Sequence, residues 1–258
     1  MNQIDESAML VSVNVRGVAT LRQQAAMNEA VRKLYTNADE LLTEEEVRQR
    51  RHEDLRWKQL IEFSDSQRKK GFSAIHNPAV VFEWGIFEAA FEDFVVAWLD
   101  NVPGALAAER LPRVRVDLAE FEIMGREERM RYVYRQLEQA SNFASSPGVA
   151  GYERLLSYFD LSGPVSDELR RNLIEMACVR NVITHRASIA DRRIVQLCPW
   201  MELSIGDEVN VSTDQYRKYH TSLVAYTADL LTRVADRVNE ASWNDESKAN
   251  SSLNRCES

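Results

Sequence analysis

Apolar positions along this chain recur mainly at helical spacing. In Ala79 to Asn101, Phe87, Phe91, Val95 and Trp98 follow at intervals of 4, 4 and 3 residues, which places them on one helical face. Asn77-Pro78 precedes the stretch. Asn suits an N-cap and Pro the first turn, so the pair predicts a helix start. Val102-Pro103-Gly104 breaks the pattern. Arg126 to Phe143 reads as a mostly polar helix, Ser145 to Gly148 as a loop, and Tyr152 to Phe159 as a short helix ended by Leu161-Ser162-Gly163-Pro164. Ser166 caps a further helix running to Arg186, with Leu169, Leu173, Met176 and Ala177 on its apolar side. Thr213 caps a last long helix, Asp214 to Asn239.

Two stretches follow the period of a strand instead. Met9 to Val15 alternates apolar and polar residues. Arg193 to Leu203 reads as one strand or two, Gly206-Asp207 as a turn and Glu208 to Ser212 as an alternating strand, together a small β-hairpin. Toward the N-terminus, Val18 to Leu34 is compatible with helix. Thr43 to Gly71 is a clearer helix, because Thr43 and Glu46 have capping-box spacing and Gly71 is a plausible stop. It is strongly charged, so it is expected either to lie solvated on the domain surface or to act as an arm that packs on a partner. The predicted fold class is all-α, a bundle of four to five helices over residues 72–241 with a β-hairpin before the last helix. A mostly helical extension (1–71) precedes it, and a polar, disordered tail (242–258) follows. No internal repeat is evident.

Composition narrows this picture without redirecting it. The 258 residues are 45% hydrophobic and 28% charged, a globular balance that excludes wholesale disorder and collagen. Nine Gly and six Pro are few for an all-β architecture of this length. A net charge of −8 excludes a uniformly basic nucleic-acid coat, though not a local basic patch. Cys178, Cys198 and Cys256 are scattered and form no CxxC pair, which argues for a reducing compartment and against a disulfide frame. The longest apolar run, Phe94 to Leu99, falls far short of the roughly 20 residues that a spanning helix needs. With no evident signal peptide, a cytoplasmic protein is expected. No His/Asp/Glu cluster has metal-ligand spacing, no Gly-rich loop suits a nucleotide phosphate and no GxSxG is present, so no metal or cofactor is expected.

Chemistry concentrates near the end of the 167–186 helix. Arg180, Asn181 and His185 continue its apolar stripe: Asn181 follows Ala177 by one turn and His185 follows Asn181 by another. Arg180 sits about 140° around from His185, within reach of a long side chain. These groups could satisfy one another or the helix end, where cations are favoured by the dipole. From Glu168 to Arg193 six arginines (170, 171, 180, 186, 192, 193) face three acids, a local charge of +3 on an acidic chain. A confined phosphate-binding surface would look like this, and so would ordinary helix charge.

Arg180-Asn181-Val182-Ile183-Thr184-His185, near the end of a bundle helix, followed by a hairpin and one more helix, resembles the HEPN superfamily over residues 75–240. The resemblance implies an all-α, usually homodimeric domain. It also implies a metal-independent endoribonuclease activity, found in toxin–antitoxin and antiphage defence systems, with the motifs of two chains facing each other. It assigns Arg180 and His185 as catalytic and Asn181 as a positioning residue, with Glu92 or Glu88 holding Arg180. Arg186, Arg192 and Arg193 would bind RNA. Imidazole can take the 2′-hydroxyl proton near neutral pH, and guanidinium offers a fork to phosphate oxygens. The expected products are a 2′,3′-cyclic phosphate and a 5′-hydroxyl, with DNA left uncut. A restraining inhibitor or sensor protein is the implied partner. A toxin subgroup carries Tyr two residues after the His, where this chain has Ala187, so that subgroup and a nucleotidyltransferase antitoxin are not implied. Two other readings stay open: a non-catalytic module that binds RNA or a protein, and an interaction protein whose polar cluster only stabilises a helix end. His52, His76 and His220 are isolated in sequence, and the tryptophans read as core or half-buried anchors.

Overall fold

The computed structural model describes residues 3–34, 43–143 and 146–253. It is an all-α bundle of α1 (Gln3–Leu34), α2 (Glu44–Lys69), α3 (Ser73–Asn101), α4 (Leu118–Ile123), α5 (Arg126–Ala140), α6 (Ala150–Ser157), α7 (Asp167–Arg186), α8 (Arg192–Leu197) and α9 (Thr213–Leu253). Among these helices none is long and apolar enough to cross a membrane. Helix α3 occupies the middle, packed against α1, α5, α7 and α9. Its sequence explains that place. Phe87, Phe91, Val95 and Trp98 are buried as their spacing predicts, and so are Val80, Trp84, Val96 and Leu99 around them, giving the wide apolar surface of a central helix. From α7 come Leu173, Met176, Val179 and Val182, and from α9 Tyr219, Leu223, Tyr226 and Leu230, all buried.

Local signals set several boundaries. The Thr43–Glu46 capping box is formed. Ser166 accepts from the Leu169 N–H and starts α7. The last helix is capped by Ser212 rather than Thr213: Ser212 Oγ accepts from the Gln215 N–H, and Gln215 Oε1 accepts from the Ser212 N–H. Helix α9 also runs beyond Asn239, through residues 242–253 that composition assigns to a disordered tail. That segment holds no Pro or Gly to stop a helix. The rest of the tail, with Cys256, lies outside the described residues. Cys178 and Cys198 are free and buried.

The strand expectations are not met. Met9 to Val15 lies inside α1, where Ser7 and Val11, one turn apart, are buried on the side facing α3. Seven alternating residues satisfy both periods, and the long uninterrupted helix decides between them. Arg193 to Leu203 forms α8 and a 3₁₀ turn, Pro199–Met201. Asp191 caps α8 by accepting from the Arg193 and Ile194 N–H groups, while Ile194 and Cys198, one turn apart, enter the core. Instead of a hairpin there is one antiparallel bridge, Ile189 to Glu208. Residues 208–212 do alternate, with Val209 and Val211 buried, but their backbone partners are Ser188 and a side chain. That side chain is Asn77. It does not cap α3, which begins at Ser73. Its amide donates to Val209 O (3.1 Å) and accepts from the Val211 N–H (3.0 Å).

The N-terminal helices are joined to the bundle. Helix α2 lies along α1, and α1 lies along α3. Most of α2 is exposed, as its charge predicts. At its end Lys70 pairs with Glu208 (2.9 Å), and a Cβ on Gly71 (φ 63°) would stand 2.9 Å from Ser212 Cα. Two fully buried carboxylates elsewhere in the core need partners to offset their desolvation. Glu83 accepts from Tyr216 OH (2.5 Å) and pairs with His220 Nδ1 (3.2 Å), while His76 stacks on the same Tyr216 ring. Glu175 accepts from Trp200 Nε1 (2.7 Å), Tyr219 OH (2.7 Å) and Lys218 Nζ (3.1 Å).

Candidate functional site

Helix α7 presents its last turns to a cleft of about 900 Å³ shared with α3, α8 and the segment 146–148. Arg180, Asn181, His185, Arg186, Arg192 and Arg193 all line it. The chain reverses after Arg186 because Ala187 and Ser188 adopt left-handed conformations (φ 50° and 65°). The Ala187 N–H then bonds to Val182 O. This turn lets α8 lie beside α7, so that Arg192 and Arg193 join His185 and Arg186 around one opening. Asp191 pairs with Arg186 (3.7 Å) across the turn.

Arg180 is fixed by its own chain. Its Nη2 donates to Glu88 Oε2 (2.7 Å) and its Nη1 to Asn181 Oδ1 (2.9 Å). The second Glu88 oxygen accepts from Trp84 Nε1 (2.8 Å). Trp84 and Glu88 stand one turn apart on α3, so a single helix supplies both the carboxylate and the group that orients it. The Arg180 side chain is three-quarters buried and Asn181 half-buried, whereas His185 and the other three arginines are exposed. Glu92, the alternative holder of Arg180, is engaged elsewhere: it accepts from Arg131 Nη1 (3.0 Å) of α5.

Beneath the polar wall lies an aromatic floor. Tyr152 packs edge-on against Phe91 and Phe143, each with ring centroids 4.7 Å away. Burial pushes its hydroxyl well above the usual phenol range, assisted by the Glu88 and Glu138 charges, so it stays protonated. The facing wall comes close to α7 because it contains Gly148. At φ 55° a Cβ there would meet the Ile174 backbone nitrogen at 2.8 Å. Among the described residues no group of three or more His, Cys, Asp or Glu side chains is placed to hold a metal ion.

All six motif and rim residues predicted from sequence therefore share one cleft, with Glu88 as the contact to Arg180. Sequence reasoning missed Trp84, which its spacing of four before Glu88 could have marked. It also missed Gly148, Tyr152 and Asp191, which come from separate segments and carried no common period. Of the remaining histidines, His52 is exposed, while His76 and His220 belong to the buried Glu83 network. Comparison with models of known protein families, with characterised proteins and with solved structures gives no match to this chain.

Proposed function

We propose that this protein is a metal-independent endoribonuclease whose site is the α7 cleft. One observation carries the reading: a guanidinium held in place by Glu88, an adjacent Asn181, an exposed imidazole and three exposed arginines open onto the same space. In the proposed reaction His185 accepts the 2′-hydroxyl proton as the O2′–P bond forms. Arg180 balances the negative charge gathering on the phosphorane oxygens. The P–O5′ bond breaks, and the 5′ oxygen takes a proton from water. The products are a 2′,3′-cyclic phosphate and a 5′-hydroxyl. Arg186, Arg192 and Arg193 hold flanking phosphates, and Asn181 keeps the Arg180 fork aimed. A local cationic rim on an acidic chain confines phosphate binding to this place. The likeness to HEPN nucleases adds a cytoplasmic setting in antiphage defence or a toxin–antitoxin pair, with a restraining inhibitor or sensor protein.

The test is cleavage of end-labelled RNA, with the product termini identified. Loss of a general base costs about 10²–10⁴-fold and loss of a charge-stabilising donor about 10²–10³-fold, so His185→Ala and Arg180→Ala are each expected to lose at least two orders of magnitude while the circular dichroism spectrum is retained. DNA of the same sequence stays intact for lack of the nucleophile. Wild-type cleavage that survives both substitutions overturns the mechanism. The ion pair between Arg180 and Glu88 favours a second reading, a non-catalytic RNA-binding module, because it already partly neutralises the cation. Salt-sensitive retention of RNA with no cleavage by the wild-type chain selects that one.

A further inference from the structure

Two cysteines that are scattered in the sequence meet in the fold. Cys178 stands on α7, one turn before Val182, and Cys198 follows the last residue of α8. The turn at Ala187 and Ser188 folds α8 back beside α7 and brings the two sulfurs together, with the Cys198 S–H donating to Cys178 Sγ. Both side chains are buried, Cys178 5% exposed and Cys198 1%, and both are free thiols. Their positions differ. Cys178 lines the cleft of about 900 Å³, as Arg193 does. Cys198 lies behind it, one turn after the buried Ile194. Free cysteine often packs as a small apolar residue, and that accounts for the burial. It does not account for two of the chain's three cysteines touching, with one of them on a cleft wall.

The surroundings sort the two sulfurs by role. The hydrogen bond from Cys198, and after it the positive charge of Arg193, favour the Cys178 thiolate against the cost of burial. Cys198 would lose that hydrogen bond on ionising and is buried besides, so it stays a thiol. We infer that Cys178 and Cys198 are a peroxide-reactive dithiol, in which Cys178 attacks from the cleft wall and Cys198 resolves from behind. The Cys178 thiolate attacks one oxygen of hydrogen peroxide. An S–O bond forms, the O–O bond breaks, and the departing oxygen takes a proton and leaves as water. Cys178 is thereby oxidised to a sulfenic acid and the peroxide reduced. The Cys198 sulfur then attacks the Cys178 sulfur. The S–S bond forms, the S–O bond breaks, and the hydroxide leaves as water with the Cys198 proton. In sum, two thiols and one hydrogen peroxide become one disulfide and two waters. The closed loop contains Arg180, Asn181, His185, Arg186, Arg192 and Arg193, so oxidation fastens α8 to α7 around the cleft. A sulfur so little exposed is within reach of hydrogen peroxide but not of a bulky disulfide such as oxidised glutathione.

The dithiol does not rest on the nuclease reading, and its test uses no RNA. The full chain with Cys256→Ser is treated, folded, with hydrogen peroxide, then unfolded, alkylated, digested and analysed by mass spectrometry. The expected product is a peptide pair linked through Cys178 and Cys198, lost again on treatment with dithiothreitol. Adding Cys198→Ser is expected to stop the reaction at a sulfenic acid that dimedone traps on Cys178. Adding Cys178→Ser instead is expected to leave Cys198 reduced. Oxidised glutathione in place of the peroxide is expected to leave both thiols free. Circular dichroism checks that each variant stays helical, and the parent chain alone decides if one does not. The proposal is overturned if both thiols of the parent chain remain alkylatable after peroxide, if the trapped sulfenic acid is found on Cys198, or if glutathione becomes attached to the folded chain.

Discussion

Arg180 draws its orientation from a carboxylate 92 positions earlier, and that carboxylate is itself held by an indole one turn away. A catalytic cation tethered in this way should depend on its tether more for geometry than for charge. Glu88→Ala removes the acceptor altogether, and its expected effect is a fall in kcat of about 10²-fold, the scale of a small misplacement, with KM little changed. Steady-state cleavage at saturating RNA checks this. A variant that cleaves like the wild type would show that Glu88 is dispensable for aiming Arg180. His185, by contrast, lies exposed, so its substitution should act on the chemistry alone.

The existence of a helix was legible where a cap and a 3–4 spacing agreed, but not always its first residue: Asn77 lies inside α3, and Ser212 rather than Thr213 caps α9. The Phe87–Trp98 stripe, the Thr43–Glu46 box and the Ser166 start were each readable from neighbouring residues, and so was the Arg180–Asn181–His185 line that α7 carries. Strands were the weak point, because alternation over five to seven residues does not say what the backbone bonds to. In residues 208–212 the alternation is real, yet Asn77, more than 130 positions away, supplies the bonds that a neighbouring strand would have made. The cleft's aromatic floor and its Gly148 wall were hidden for the same reason, since they exist only once separate segments pack. Asn77→Ala leaves two backbone groups of this segment without partners. The expected loss is about 1–3 kcal/mol, measurable as a lower denaturation midpoint with an unchanged slope. An unchanged midpoint would mean that water replaces the amide without cost.

At the scale of the whole molecule, stability should follow the two histidines beside Tyr216. The bond to Glu83 raises the pKa of His220, so its contribution is complete below about pH 6.5 and is lost as pH rises through the higher folded value. Burial lowers the pKa of His76, so the unfolded chain takes up a proton that the folded one resists, and stability falls as pH drops from about 6.5 toward the lower folded value. The melting temperature is therefore expected to peak near about pH 6.5 in scans from about pH 5 to about pH 9, and His220→Gln should remove the alkaline decline while leaving the acid one. An alkaline decline that persists in the variant would assign it to other groups. The junction at Gly71 and Ser212 has a practical consequence of its own. The first helices are clasped onto the start of α9, by a contact too tight for any side chain and by the Lys70–Glu208 pair. Deleting them would strip Tyr216 of its Ser7 partner and uncover the buried end of α9, so an inert truncated protein would report a damaged scaffold and not a missing regulator.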